Sequence, residues 1–168
     1  IHLSTNMWID REDSRWDPDH VVRPHLRFDS KLWNELVGRM VEAGVNMVVL
    51  DLGDAVKYES HPEIAVEGAW TVDRLKQEIA RLRELGIEPI PKLNFSACHD
   101  AWLGPYSRML STDAYYAVCK DLIREIIGIF GKPRFFHLGM DEETYPHQQH
   151  WAYVVCRQFD LWWHDIYF

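Results

Sequence analysis

The sequence predicts an α/β protein of parallel strands joined by helical crossovers. Three observations predict it. Strand-like and helix-like segments alternate four times along the 168 residues. No hairpin signal lies between them, and strand–helix alternation of this kind builds right-handed parallel units. The helix-to-strand turns are short and end in glycine, whereas the loops after the strands are long and rich in His, Asp, Trp and Tyr. That asymmetry places chemistry at the C-terminal ends of the strands.

Each element has its own signal. Residues 1–9 (IHLSTNMWI) read as a first strand, followed by a polar loop over 10–29 rich in Asp and Arg. Asp29 or Ser30 caps a helix whose apolar positions are Leu32, Trp33, Leu36, Val37, Met40 and Val41, and Gly44 suits the left-handed position after it. Residues 45–52 form a near-continuous apolar run, as in a strand buried on both faces. After the loop 53–70, Thr71 caps a second helix bearing Val72, Leu75, Ile79, Leu82 and Leu85, closed by Gly86. Residues 87–95 are the third strand, although Pro89 and Pro91 are unusual inside a sheet. The third helix runs over 112–130, with Tyr116, Cys119, Ile123, Ile126 and Phe130 on one stripe and Gly131 as its stop. A fourth strand over 135–140 and an aromatic-rich helix from residue 150 onward complete the pattern.

Composition bounds the partners. With 47% hydrophobic residues the chain has the means to form one core, and its net charge of −8 lacks the basic balance that phosphate backbones require. Nucleic acid is excluded on that ground. No apolar run approaches the ~18–20 residues of a membrane span, and the first residues carry neither a basic nor an apolar targeting region. Cys98, Cys119 and Cys156 are odd in number and form no CxxC pair, which argues against a zinc knuckle and against an oxidising compartment. Neither GxGxxG nor GxxxxGK[ST] is present, so no nucleotide cofactor is expected, and no GxSxG elbow suggests an esterase.

The sharpest chemical signal is the run Phe135-Phe136-His137-Leu138-Gly139-Met140-Asp141-Glu142-Glu143. Three carboxylates at the end of an apolar strand are costly to bury as ions, so either the strand has reached solvent or a site uses them. Extended backbone would put His137, Gly139 and Asp141 on one face and Glu142 on the other. Two carboxyls in unlike environments can hold different protonation states at one pH, as acid–base work on a glycosidic bond requires. The plain alternative is a solvated strand end that caps the next helix with acids.

The run His137-Leu138-Gly139-Met140-Asp141-Glu142 resembles the H-x-G-G-D-E motif of family 20 glycoside hydrolases, the β-N-acetylhexosaminidases. Further segments resemble the family in the same order: Asn46-Met47-Val48-Val49-Leu50 ending near Asp54, His61-Pro62-Glu63 followed by Gly68-Ala69-Trp70-Thr71, and Leu85-Gly86-Ile87-Glu88-Pro89-Ile90-Pro91. The resemblance implies a (β/α)₈ barrel of TIM type and removal of terminal N-acetylhexosamine by substrate-assisted, retaining catalysis without cofactor or metal. It assigns Asp141 to orienting the 2-acetamido group and Glu142 to general acid–base work. His99, Asn94, His137, Trp102 and Asp54 are the expected sugar contacts, and the implied substrate is an oligosaccharide or glycoconjugate.

The chain also departs from the family. Lys92-Leu93-Asn94-Phe95-Ser96-Ala97-Cys98-His99 stands where the family has E-I-D-x-P-G-H, so Asn94 replaces an Asp and His99 arrives one residue late. The first strand lacks the usual Arg, unless Arg11 or Arg15 folds back, and Met140 replaces a Gly. Among single residues, His99 reads equally as a solvated loop histidine. His137 reads first as an interior histidine, and secondly as a buttress for Asp141. Trp102 offers a plane for a sugar ring or a cover for the barrel rim. Trp33, Trp151, Trp162 and Trp163 belong to helix packing, and His147 and His150 to a helix start. Two other function classes follow from the same residues. One is a metal-dependent isomerase or hydrolase using His99, His137, Asp141 and Glu142, although ligand spacing such as HExxH is missing. The other is a sugar-binding barrel without turnover. A whole barrel takes ~250 residues, so residues 1–168 read as one incomplete barrel region of strands 1–4 and helices 1–4. The rest of the barrel, or a second chain, is then needed, and the missing initiator Met points to an excerpt.

Overall fold

The computed structural model describes residues 1–6, 22–96, 99–107, 109 and 112–140. The expected helix from residue 150, the residues Asp141, Glu142, Glu143, His147, His150, Trp151, Trp162 and Trp163, and the cysteines Cys98 and Cys156 lie outside them, as does the stretch 7–21 with Arg11 and Arg15.

The described elements are α1 (Ser30–Glu42), β1 (Met47–Asp51), β2 (Val56–Lys57), β3 (Trp70–Thr71), α2 (Val72–Glu84), β4 (Glu88–Lys92) and α3 (Asp113–Phe130). β1 and β4 pair in parallel, with Val49 opposite Ile90 and Asp51 opposite Lys92. Single parallel pairs extend this sheet on both sides, His2 with Asp51 and Lys92 with His137. Four extended segments thus lie side by side in chain order, all pointing the same way. β2 and β3 form a separate two-residue parallel ladder inside the loop after β1.

The helix starts follow their caps. Asp29, rather than Ser30, caps α1, its carboxylate accepting from the Lys31 and Leu32 amides. Thr71 accepts from Arg74 N–H and Thr112 from Tyr115 N–H. Gly44, Gly86 and Gly131 have φ of 72°, 78° and 67°, a conformation open to glycine at little cost.

The core fills the space between one sheet face and the helices. Val48 and Leu50 share that face with their register partners Pro89 and Pro91, and the buried residues of α2 are Leu75, Ile79 and Leu82. On α3 the buried stripe is Tyr115, Val118, Cys119, Leu122, Ile126 and Phe130. It is rotated from the expected one, since Tyr116 and Ile123 are only half-buried. Burial pushes the Cys119 thiol up to about 12, so it behaves as a small apolar group. On α1 only Trp33 and Val37 are buried, and Leu32 is 63% exposed. Trp33 does pack between helices: its indole N–H donates to Glu78 of α2, and its ring sits in a cluster with Phe28 and Trp70.

The two strand prolines have a local explanation. Glu88 N–H points toward β1, donating to Asn46 O, while Leu93 N–H and Phe95 N–H point the other way, to His137 O and Leu138 O. The positions of Pro89 and Pro91 are on that second side, where their missing donors would have met the chain before His137. The fourth segment is therefore joined only from His137 onward, and 135–140 is a shorter strand than its apolar run suggests. Among the described residues no helix is long and apolar enough to cross a membrane.

Leu75→Ala, at a fully buried site on α2, is expected to cost roughly 2–5 kcal/mol, read by urea denaturation. Leu32→Ala on the exposed side of α1 is expected to change stability by less than about 0.5 kcal/mol.

Candidate functional site at the strand ends

The C-terminal ends of the four extended segments meet through a chain of close contacts. Gly53, just after β1, lies against the Ser4 hydroxyl, which occupies the space a Cβ would need. On its other side the same Cβ would meet Trp102 at 3.4 Å. The Trp102 indole donates to Asn94 O at 2.6 Å and packs on Phe95. Asn94 in turn lies against Gly139, where a Cβ would come within 2.5 Å of the Asn94 Cα and Oδ1. Residues from all four strand ends are thereby fixed relative to one another.

Asp54 anchors the first strand end to the second. It is 1% exposed. Its carboxylate accepts from Thr5 N–H at 2.7 Å and Asn6 N–H at 3.2 Å, from the Asn6 side-chain amide at 2.7 Å and from the Ser4 hydroxyl at 3.3 Å. Asn6 also bonds Arg23 in both directions, at 2.8 and 2.7 Å, which closes the base of the intervening loop. The four acceptor bonds stabilise the anion, yet burial outweighs them and raises the Asp54 carboxyl from 3.8 to about 6. Expected from the sequence as a sugar contact, Asp54 faces the backbone of the first strand.

The other expected residues fall as follows. Asn94 is buried, and its Oδ1 accepts from Ser96 N–H at 3.1 Å in an Asx turn. His99 is buried in the loop after β4, which corrects its reading as a solvated histidine. Trp102 is buried, bracing a strand end rather than presenting an open plane, because its N–H finds a carbonyl inside the fold. His137 is exposed, so its interior reading does not hold; it sits on the outermost segment of the described sheet. Its Nδ1 accepts from Gly139 N–H at 3.0 Å.

The acids from Asp141 onward lie outside the described residues, but the backbone just before them departs from the expected extended course. Gly139 and Met140 have φ of 79° and 62°, so the extended alternation stops before Asp141. A non-glycine residue at positive φ is uncommon and costs on the order of 1–2 kcal/mol. Met140 meets that cost while its side chain is buried.

A row of polar groups that the motifs did not reveal crosses the sheet just below this edge. The pairs His2–Asp51, Asp51–Lys92 and Lys92–His137 place these four side chains on one face at one level. Asp51 Oδ2 lies 2.9 Å from His2 Nδ1 and 3.5 Å from Lys92 Nζ, and the Asp51 side chain is only 3% exposed. The signal available was the polar residue closing each apolar run. Among the described residues no three His, Cys, Asp or Glu side chains gather as a metal site.

No family model matches the sequence, and no curated protein matches it. Solved structures do. The N-acetyl-β-hexosaminidase of Streptomyces plicatus in complex with thio-NAglucal is similar over 82% of this chain and 36% of its own, with 14% identity and a TM-score of 0.59. A mutant of the Streptomyces plicatus β-hexosaminidase in complex with GlcNAc as product matches 70% of this chain and 30% of its own, at 17% identity and a TM-score of 0.56. A family 20 exo-β-N-acetylglucosaminidase from Vibrio harveyi, in complex with N-acetylglucosamine, matches 76% of this chain and 28% of its own, at 15% identity and a TM-score of 0.55.

Asp54 gives a pH signature. Its raised carboxyl makes the folded state bind a proton more tightly than the unfolded chain between pH 3.8 and about 6. Its contribution to stability is therefore complete below pH 3.8 and is lost as pH rises through about 6. The difference in unfolding free energy between the wild type and Asp54→Asn is expected to shift by on the order of 2–3 kcal/mol across that window. A pH series of denaturant unfolding curves measures it, and a constant difference would refute the assignment.

The chain spans about a third of the length of the solved structures it matches, and over that third its described residues follow the fold of the family 20 β-hexosaminidases.

Proposed function

We propose that this chain forms the first half of a (β/α)₈ barrel and belongs to a retaining glycoside hydrolase that removes terminal N-acetylhexosamine, GlcNAc or GalNAc, from an oligosaccharide or glycoconjugate. The observation that carries this reading is the β-hexosaminidase-like course of its parallel strands, with the run His137 to Glu142 at the end of the last one. Among the described residues no strand lies outside the segments 1–4 and 135–140, and a barrel would set further strands there, from its remaining part or a second chain.

The chemistry follows from the acids that succeed Met140. The 2-acetamido oxygen of the sugar attacks the anomeric carbon, the bond to the leaving oxygen breaks, and an oxazoline-type intermediate forms. Asp141 orients and polarises the acetamido group. Glu142 donates its proton to the leaving oxygen, then takes a proton from the water that opens the intermediate. A charged Asp141 beside Glu142 favours the protonated form that the first step needs. The strand-end contacts from Ser4 to Gly139 would supply the rigid floor on which such a pair works.

A second reading, a sugar-binding barrel without turnover, is favoured by Asn94 where the family carries an Asp and by Met140 where it carries a Gly. A chromogenic N-acetylglucosaminide assayed beside the plain glucoside, with and without chelator, separates the readings. Cleavage is expected only with the acetamido group present and is expected to survive chelation. Equal cleavage of the plain glucoside would overturn substrate assistance, and loss with chelator would favour a metal enzyme. Glu142→Gln is expected to lower turnover of substrates with poor leaving groups about 10²–10⁴-fold while binding persists. Full activity in that variant would move the acid to Glu143.

A further inference from the structure

We propose that His137 is a positioning residue: its imidazole Nδ1, acting with Asn94, fixes the left-handed turn at Gly139 and Met140, the residues that precede Asp141 and Glu142 in the sequence. The inference rests on the glycosidase reading for its effect on turnover, but its geometry is independent of that reading.

Two contacts hold Gly139 from different sides. Its N–H donates to His137 Nδ1 at 3.0 Å, across two residues of the same chain. Its Cα lies so close to Asn94 that any side chain would collide with the Asn94 Cα and Oδ1. Asn94 is itself held, because its carbonyl accepts from Trp102 and its Oδ1 from Ser96 N–H. Leu138 O is fixed as well, accepting from Phe95 N–H at 3.1 Å.

Glycine by itself has wide backbone freedom, so a bare Gly139 would let the chain leave the strand in several directions. Contact with Asn94 restricts where the backbone can lie, and the bond to His137 selects its rotation. Met140 follows at φ 62° with its side chain buried, so the left-handed turn spans both residues. A ring nitrogen that accepts a hydrogen bond bears no proton, so this turn requires the His137 tautomer protonated at Nε2. Catalytic groups misplaced by ~1 Å lose about 10²-fold in rate. The imidazole thus acts through the backbone of Gly139.

Asn offers the discriminating substitution, since its Oδ1 stands the same number of bonds from Cα as Nδ1 of His and can accept from the same N–H. Leu keeps bulk but accepts nothing. The protein with its barrel complete would be compared as wild type, His137→Asn and His137→Leu, by amide hydrogen exchange at Gly139 and by kcat and KM on an N-acetylglucosaminide. His137→Leu is expected to lose about tenfold or more of the Gly139 protection. It is also expected to lose about 10–100-fold in kcat, with KM within about twofold. His137→Asn is expected to recover most of both. Unchanged protection in His137→Leu, an Asn variant no better than Leu, or a loss carried by KM would overturn the assignment. Protection that follows the expected pattern in a complete barrel that cleaves no acetamido sugar would overturn the glycosidase reading and leave the turn standing.

Discussion

Parallel pairing between β1 and β4 is the constraint from which the rest of the structure follows. Strands paired in parallel begin at one end and finish at the other, so each connection must cross the full length of the sheet. Helices α2 and α3 are those crossings, and their buried stripes cover the face that Val48, Leu50, Pro89 and Pro91 present. Because Asp51 stands opposite Lys92, the segments that follow them also finish level with each other. The single pairs to His2 and His137 bring the two outer segments to the same line. Every long loop therefore leaves from one edge.

What distinguishes that edge is closeness of backbone. Gly53 admits the Ser4 hydroxyl, and Gly139 admits Asn94, each in space that a methyl group would fill. Asp54 adds a buried charge whose four donors all come from the first strand end. Such groups are expensive to desolvate and are retained when their bonds are satisfied. Their effect is to convert four separate chain ends into one surface with little freedom. A site that must hold two carboxyls at fixed distances has use for such a surface.

Local signals were the ones that could be read in the sequence. Asp29, Thr71 and Thr112 stand where they cap their helices, and Gly44, Gly86 and Gly131 stand where they stop them, because each acts over three or four residues. The alternation that predicts parallel strands is likewise periodic and short-range. Distant pairings were not legible. Asn6 and Asp54 are 48 residues apart, and nothing near Asn6 in the sequence announces its bond to that carboxylate. Apolar residues surround α3, so periodicity alone does not choose between Tyr115 and Tyr116 for its buried stripe. Trp102 illustrates the same limit from another side. A tryptophan in a polar loop suits a sugar, but the carbonyl of Asn94 gives its N–H an interior partner. The left-handed pair Gly139–Met140 is not legible either, since a Met gives no hint of positive φ.

Pro89 and Pro91 bear on how the sheet assembles. Before the segment 135–140 docks, β4 is an edge, and an ordinary edge strand offers a row of N–H groups to any extended chain nearby. Here two successive outward donors are missing. An uncovered β4 edge therefore offers no N–H at those two positions, and its outward donors are those of Leu93 and Phe95. The two prolines that shorten the native ladder also withhold that edge from strands in other registers.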